Sequence, residues 1–137
     1  MNIGPADGLY YEIGCGEGII VDLGRQMWID TLVYYEVENQ ADPGYIALDW
    51  VIVYVSDSAA GPWTLIFYWG DTEAWNNGSV PPAYYPPEND NQRIGLGELY
   101  NNTGILIGVG NLYRYVLIEA PPGCGDPAQV DAIEVLP

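Results

Sequence analysis

The sequence predicts an all-β chain: an antiparallel β-sandwich of jelly-roll type with about eight strands. Three observations carry this. Helix patterns are nearly absent, and 17 glycines and 11 prolines are spread along the 137 residues, punctuating the chain too often for long helices. The apolar runs between them are short and rich in Val, Ile, Tyr and Trp, the residues that suit a pleated, half-buried surface. Hydrophobic residues make up 49% of the chain, enough for a core at a length that fits one domain over 1–137.

The runs place strands at 9–13, 18–23, 31–38, 47–56, 62–69, 104–109, 112–119 and 129–135. In 48–56, Leu48, Trp50, Ile52, Tyr54 and Ser56 alternate with Asp49, Val51, Val53 and Val55. Both sets are largely apolar, which predicts a central strand covered on both sides. In 113–119, Tyr113, Tyr115, Leu117 and Glu119 oppose Arg114, Val116 and Ile118; in the last strand, Val130, Ala132 and Glu134 oppose Asp131, Ile133 and Val135. The five Trp and 12 Tyr fall largely in these strands, where core and cross-strand packing is the ordinary role. Adjacent pairs such as Tyr10-Tyr11, Tyr34-Tyr35 and Tyr84-Tyr85 send one ring to each face of an extended chain, so some rings are expected outside.

Residues 70–93 break the rhythm. This long loop holds Trp75, Tyr84 and Tyr85 between prolines, and loops of that length inside a compact domain are uncommon. Two readings stand: a contact surface for a sugar or another subunit, or a loop folding its aromatics over an open end of the sandwich.

Charge excludes several functions. There are 19 acids against three arginines, with no lysine and no histidine, for a net charge of −16. Nucleic acid is not an expected partner, because phosphate binding relies on basic side chains, and anionic membranes are disfavoured for the same reason. No apolar run approaches the ~20 residues of a membrane helix. Without lysine there is no Schiff-base chemistry. Without histidine the commonest general base and transition-metal ligand are missing. Oxygen ligands remain, and they suit calcium. No pair of carboxylates stands out as glycosidase machinery, and no Gly-x-Ser-x-Gly is present; the chain is not expected to be an enzyme. Residues 1–8 lack the basic and apolar regions of a signal peptide.

The two cysteines lie in glycine-flanked turns, Cys15 in "GCGEG" and Cys124 in "PPGCGDP". Zinc sites usually take four protein ligands, or three plus water, and the chain has no histidine and no CxxC. A redox pair would show close spacing or a nearby cation, whereas here Glu17 and Asp126 are the neighbours. A structural Cys15–Cys124 disulfide fits an exported domain; two free thiols fit a reducing cytosol.

Several motifs together resemble a known module. They are Gly4 to Gly8 ("GPADG"), Gly14 to Gly18, Val33 to Glu36, Ser56-Asp57, Trp63-Thr64 and the closing Val130 to Glu134 ("VDAIE"). In this order they resemble the discoidin-like, galactose-binding-like β-sandwich module of secreted bacterial surface proteins, common in Chloroflexi-type filamentous bacteria. The resemblance spans nearly the whole chain. It implies a non-catalytic module used in adhesion, carbohydrate contact or surface assembly. It also implies a structural calcium ion near the termini, held by Asp7 and Glu134 with Glu36 and Asp126 as further donors; the competing reading is that these acids keep the protein soluble. No cofactor is required beyond that ion.

The resulting expectation is an extracellular or cell-surface module that self-assembles into a fibre, tube or layer through aromatic-rich surfaces. A carbohydrate-binding adhesion module, with Trp75, Tyr84 and Tyr85 touching glycan, is the alternative. The partners expected are therefore further copies of the chain or surface glycans.

Overall fold

The computed structural model describes residues 9–36, 45–48, 50–69, 92–95, 100, 104–122 and 127–137. Every regular element among them is a strand: β1 (Tyr11–Ile13), β2 (Glu17–Glu36), β3 (Tyr45–Leu48), β4 (Val51–Ser56), β5 (Thr64–Trp69), β6 (Gln92–Gly95), β7 (Gly104–Ala120) and β8 (Ala128–Leu136). Six form one antiparallel sheet in the order β1-β8-β2-β7-β4-β5, and β3 pairs with β6. Among the described residues no helix is long and apolar enough to cross a membrane.

The long strands β2 and β7 organise the fold. They are paired from Glu17↔Ala120 to Tyr35↔Gly104. The first half of β2 and the second half of β7 carry β4 and β5 alongside; the other halves carry β8 and β1. Both halves contribute to one core, in which Ile19, Val21, Val53, Val55, Phe67, Val116 and Ile118 meet Ile13, Leu32, Tyr34, Ile105, Ile107 and Val130. The ribbon is therefore bent over on itself. It makes two layers, β2-β7-β4-β5 and β1-β8-β2-β7, with the core between them. β-Bulges produce such bends, since extra residues on one strand kink the pair. Here register shifts lie between Asp22 and Met27 and between Ile29 and Thr31.

These bends correct the sequence reading. The stretches 18–23 and 31–36 belong to a single strand, Glu17–Glu36, with 37–38 outside the described residues, and 104–109 joins 112–119. Gly24 and the Gly110-Asn111 pair look like turns locally, but the two strands bend together and remain paired on either side. Conversely, 47–56 divides, because Tyr45–Leu48 pairs with β6 while Val51–Ser56 pairs with β5 and β7. Part of the expected 70–93 loop, Gln92 and Arg93, is strand; residues 70–91 lie outside the described residues.

Alternation in β4 holds: Val51, Val53 and Val55 are fully buried, Ile52 and Tyr54 half-buried. In β8 it breaks. Tyr35 pairs with Ala132 but Glu36 pairs with Val130, so Asp131 is the extra residue of a bulge. As a result Val130 joins the main core, Ile133 and Val135 pack against that same core, and Ala132 joins a second cluster on the outer face. The expected grouping of Val130 with Ala132 fails for this reason.

Candidate functional site

The bend presents the clearest polar constellation. Between Asp22↔Tyr115 and Met27↔Tyr113, four residues of β2 stand opposite one of β7, Arg114. Gly24 sits in this bulge with φ of +88°, a conformation open to glycine at little cost. Its N–H donates to Asp22 Oδ1 at 2.8 Å. Arg114 donates through Nε to Asp22 Oδ1 at 2.8 Å and through Nη2 to Oδ2 at 2.9 Å. This two-pronged pair fixes both planar groups. The hydrogen bonds from Arg114, then the one from Gly24, hold the Asp22 carboxyl at a pKa of about 2, below the ordinary 3.8; Arg114 is raised in return by its bond to Asp22. The guanidinium also lies 5.1 Å from the Tyr115 ring centroid, within cation–π range. The bulge reaches the β4–β5 turn, where Gln26 Nε2 donates to Asp57 Oδ1 at 2.9 Å.

The crest beside this pair is apolar and open. Trp28 and Leu112 face each other across the strands and are 49% and 45% exposed. Their chain neighbours Met27 and Tyr113 turn inward and pack against the core. The bend of β2 and β7 thus carries both an exposed tryptophan and a fixed carboxylate–guanidinium pair. Sequence reasoning missed all of them. The available signal was Arg114, one of three arginines in the chain and set inside an apolar strand.

The residues singled out from sequence fare differently. Asp7, Trp75, Tyr84, Tyr85, Cys124 and Asp126 lie outside the described residues. Cys15 is exposed in the turn between β1 and β2. There the Gly16 N–H donates to the Ala120 carbonyl at 2.7 Å, so this turn lies against the chain just upstream of Cys124. No described cysteine is free. Glu36 is buried and accepts from Tyr34 Oη at 3.3 Å, whereas Glu134 accepts from Tyr35 Oη at 2.6 Å. Tyr34 belongs to the main core and Tyr35 to the outer cluster, so the two glutamates sit on opposite faces and are not brought together around one ion. Among the described residues no group of three or more acidic, Cys or His side chains is placed to hold a metal. The Tyr34-Tyr35 pair sends one ring each way as expected, yet both rings are buried.

No protein-family model and no curated protein matches the sequence. Solved structures do match the fold. The module CpGH89CBM32-4 of Clostridium perfringens superposes with a TM-score of 0.51 at 12% identity, covering 90% of this chain and 72% of that one. Its structure in complex with GlcNAc-α-1,4-galactose gives 0.50 at 10% identity, covering 89% and 67%. The fold is the galactose-binding-like β-sandwich. A Ruminococcus gnavus GH29 fucosidase solved with fucose contains the same sandwich, with a TM-score of 0.52 at 17% identity over 92% of this chain and 19% of the fucosidase. At these identities the likeness establishes the galactose-binding-like fold alone, and it does not bear on the bacterial group suggested by the sequence resemblance.

Proposed function

We propose that this chain is a non-catalytic, extracellular carbohydrate-binding module that takes a neutral sugar at the bend of β2 and β7. The observation that carries the reading is the exposed Trp28 on the same bend as the fixed Asp22–Arg114 pair. An aromatic face packs on the apolar face of a sugar ring, while a few placed polar groups orient its hydroxyls. Arg114 uses Nε and Nη2 on Asp22, which leaves Nη1 outside that pair on a side chain that is 39% exposed. The shared fold supports the reading by analogy, since one such module is solved with a disaccharide; fold alone does not fix function. Self-assembly gains no comparable support, so the carbohydrate alternative replaces it as the main reading.

The test is calorimetric titration of the intact chain with galactose, N-acetylglucosamine, fucose and GlcNAc-α-1,4-galactose. Binding of at least one is expected, with Trp28→Ala and Arg114→Ala each weakening it by about tenfold or more. No binding across the set, or binding that both substitutions leave intact, would defeat the proposal.

A further inference from the structure

We infer that the outer face of the β2-β7-β4-β5 layer is a second, extended contact surface for a neutral polysaccharide chain, continuous with the bend; this rests on the carbohydrate reading above. Alternation and pairing lay the face out in rows. Gly18, Glu119, Ile52 and Tyr68 are cross-strand neighbours; Ile20, Leu117, Tyr54 and Leu65 form the next row; Asp22 and Tyr115 begin the third. Their chain neighbours Ile19, Val21, Val53, Val55, Phe67, Val116 and Ile118 all point into the core, which fixes the direction of the rows. At ~3.4 Å per residue and ~4.8 Å between strands, the rows cover roughly 14 Å in each direction. That is room for more than one sugar ring.

The side chains suit that occupant. Solvent-side strand positions are ordinarily polar, but here most are aromatic or aliphatic. Tyr54, Tyr68 and Tyr115 are half-buried, each with an apolar ring and a phenol tip, and Leu65 is 51% exposed. Trp50 Nε1 donates to Tyr68 Oη at 3.1 Å, which steadies the Tyr68 ring. Charge lies only at the borders, with Glu119 in the first row and the Asp22–Arg114 pair beside Tyr115 in the third.

Charge also decides among occupants. The chain carries a net −16, and the guanidinium bordering the face is already held by two bonds to Asp22. Anionic polysaccharide, nucleic acid and anionic membrane meet repulsion from that net charge, which the exposed Arg25 of the bulge does little to offset. A second copy brings the same net charge against itself. A neutral chain of hydroxyls and apolar ring faces meets neither obstacle. The bend then holds one sugar unit and the sheet face supports the units that follow.

Affinity electrophoresis of the intact chain in gels containing galactan, galactomannan or β-glucan, with polygalacturonate as the anionic comparison, tests this beside the sugar titrations. Retardation by at least one neutral polymer and not by polygalacturonate is expected. Tyr54→Ala should weaken that retardation by about tenfold while leaving small-sugar binding at the bend within about twofold. Leu65→Ser, at an exposed position that the fold tolerates, should weaken it in the same direction. If small sugars bind but neither substitution alters polymer retardation, the extended surface is wrong and the bend site stands. If neither small sugars nor polymers bind, the carbohydrate reading itself fails. Equal retardation by polygalacturonate, or sugar-free self-association abolished by Tyr54→Ala, would also overturn the inference.

Discussion

The two outer faces of this sandwich are drawn from the same pair of strands and end in different states. On the β8-β2-β7 side, Val33, Tyr35 and Ala132 are sealed, with Tyr100, Leu106 and Leu136 packed against them. On the β2-β7-β4-β5 side, Ile20, Leu117, Ile52 and Tyr54 stay half-open. Both faces are apolar, so composition does not separate them. What separates them is that one has an apolar cluster closed over it by the chain itself. A sealed outer cluster supports stability, whereas on the proposed reading the half-open aromatic face makes its contacts with a ligand. Substitutions on the first should therefore move melting, and substitutions on the second should move binding.

The largest effect on melting should come from the tie between the layers. The Cys15 turn is held to Ala120, at the crossing from one layer to the other, and we propose that Cys15 bonds to Cys124. Such a bond closes a loop on the order of 100 residues, worth roughly 4–5 kcal/mol on the chain-entropy model. Cys15→Ser should lower the melting temperature of oxidised protein sharply, and reductant should lower the wild type to match. Equal melting of oxidised wild type and variant would refute the bond. The same scan with excess chelator addresses the calcium ion expected near the termini: a lower midpoint supports a bound ion, and an unchanged one removes it.

A smaller effect should come from inside the sealed face. A Cβ on Gly104 would lie 2.5 Å from Val33 Cγ1 and 3.0 Å from the Tyr100 carbonyl, too close without a shift of backbone. Gly104→Ala should destabilise the fold by about 1–3 kcal/mol through overpacking. Gly108, four residues along the same strand, has open space where its Cβ would go, and Gly108→Ala should be near neutral. Denaturant midpoints compare the two; equal midpoints would mean the outer cluster yields more easily than its packing implies.

The core was the legible part of the sequence. Alternation in 48–56 separated Val51, Val53 and Val55 from Ile52 and Tyr54 without showing which set is inside, because both are apolar. The expected cover on both sides is met only on the valine side. The antiparallel sandwich followed from short runs between turn residues. The bends were not legible, because Gly24 and Gly110 read as local stops while the continuation depends on a partner strand some 90 residues away bending in step. The flip in β8 has the same origin: nothing in "VDAIE" itself marks Asp131 as a bulge until Glu36 and Val130 are seen as partners. The bend site was hidden for that reason too. Asp22 and Arg114 are 92 positions apart, and only the four-residue bulge brings them together. The tyrosine pairs divide: Tyr10 and Tyr11 are exposed as expected of some rings, whereas Tyr34 and Tyr35 alternate and yet each ring found its own buried cluster.

The smallest effect should belong to the open side, at the Asp22–Arg114 pair, whose side chains are 37% and 39% exposed. Exposed ion pairs contribute little to stability, so this pair is better detected by its pH dependence than by its size. Asp22 is held at about 2 in the folded chain against an ordinary 3.8. Its stabilising contribution is therefore complete above 3.8 and is lost as pH falls from there to about 2. Asp22→Asn removes that dependence without removing the other acids. Melting temperatures of wild type and variant should differ most near neutral pH and converge as pH approaches 2, with the gap narrowed by added salt. A gap that stays constant down to pH 2 would show that Asp22 acts through packing of the bulge, by way of its bond to Gly24, and not through its charge against Arg114.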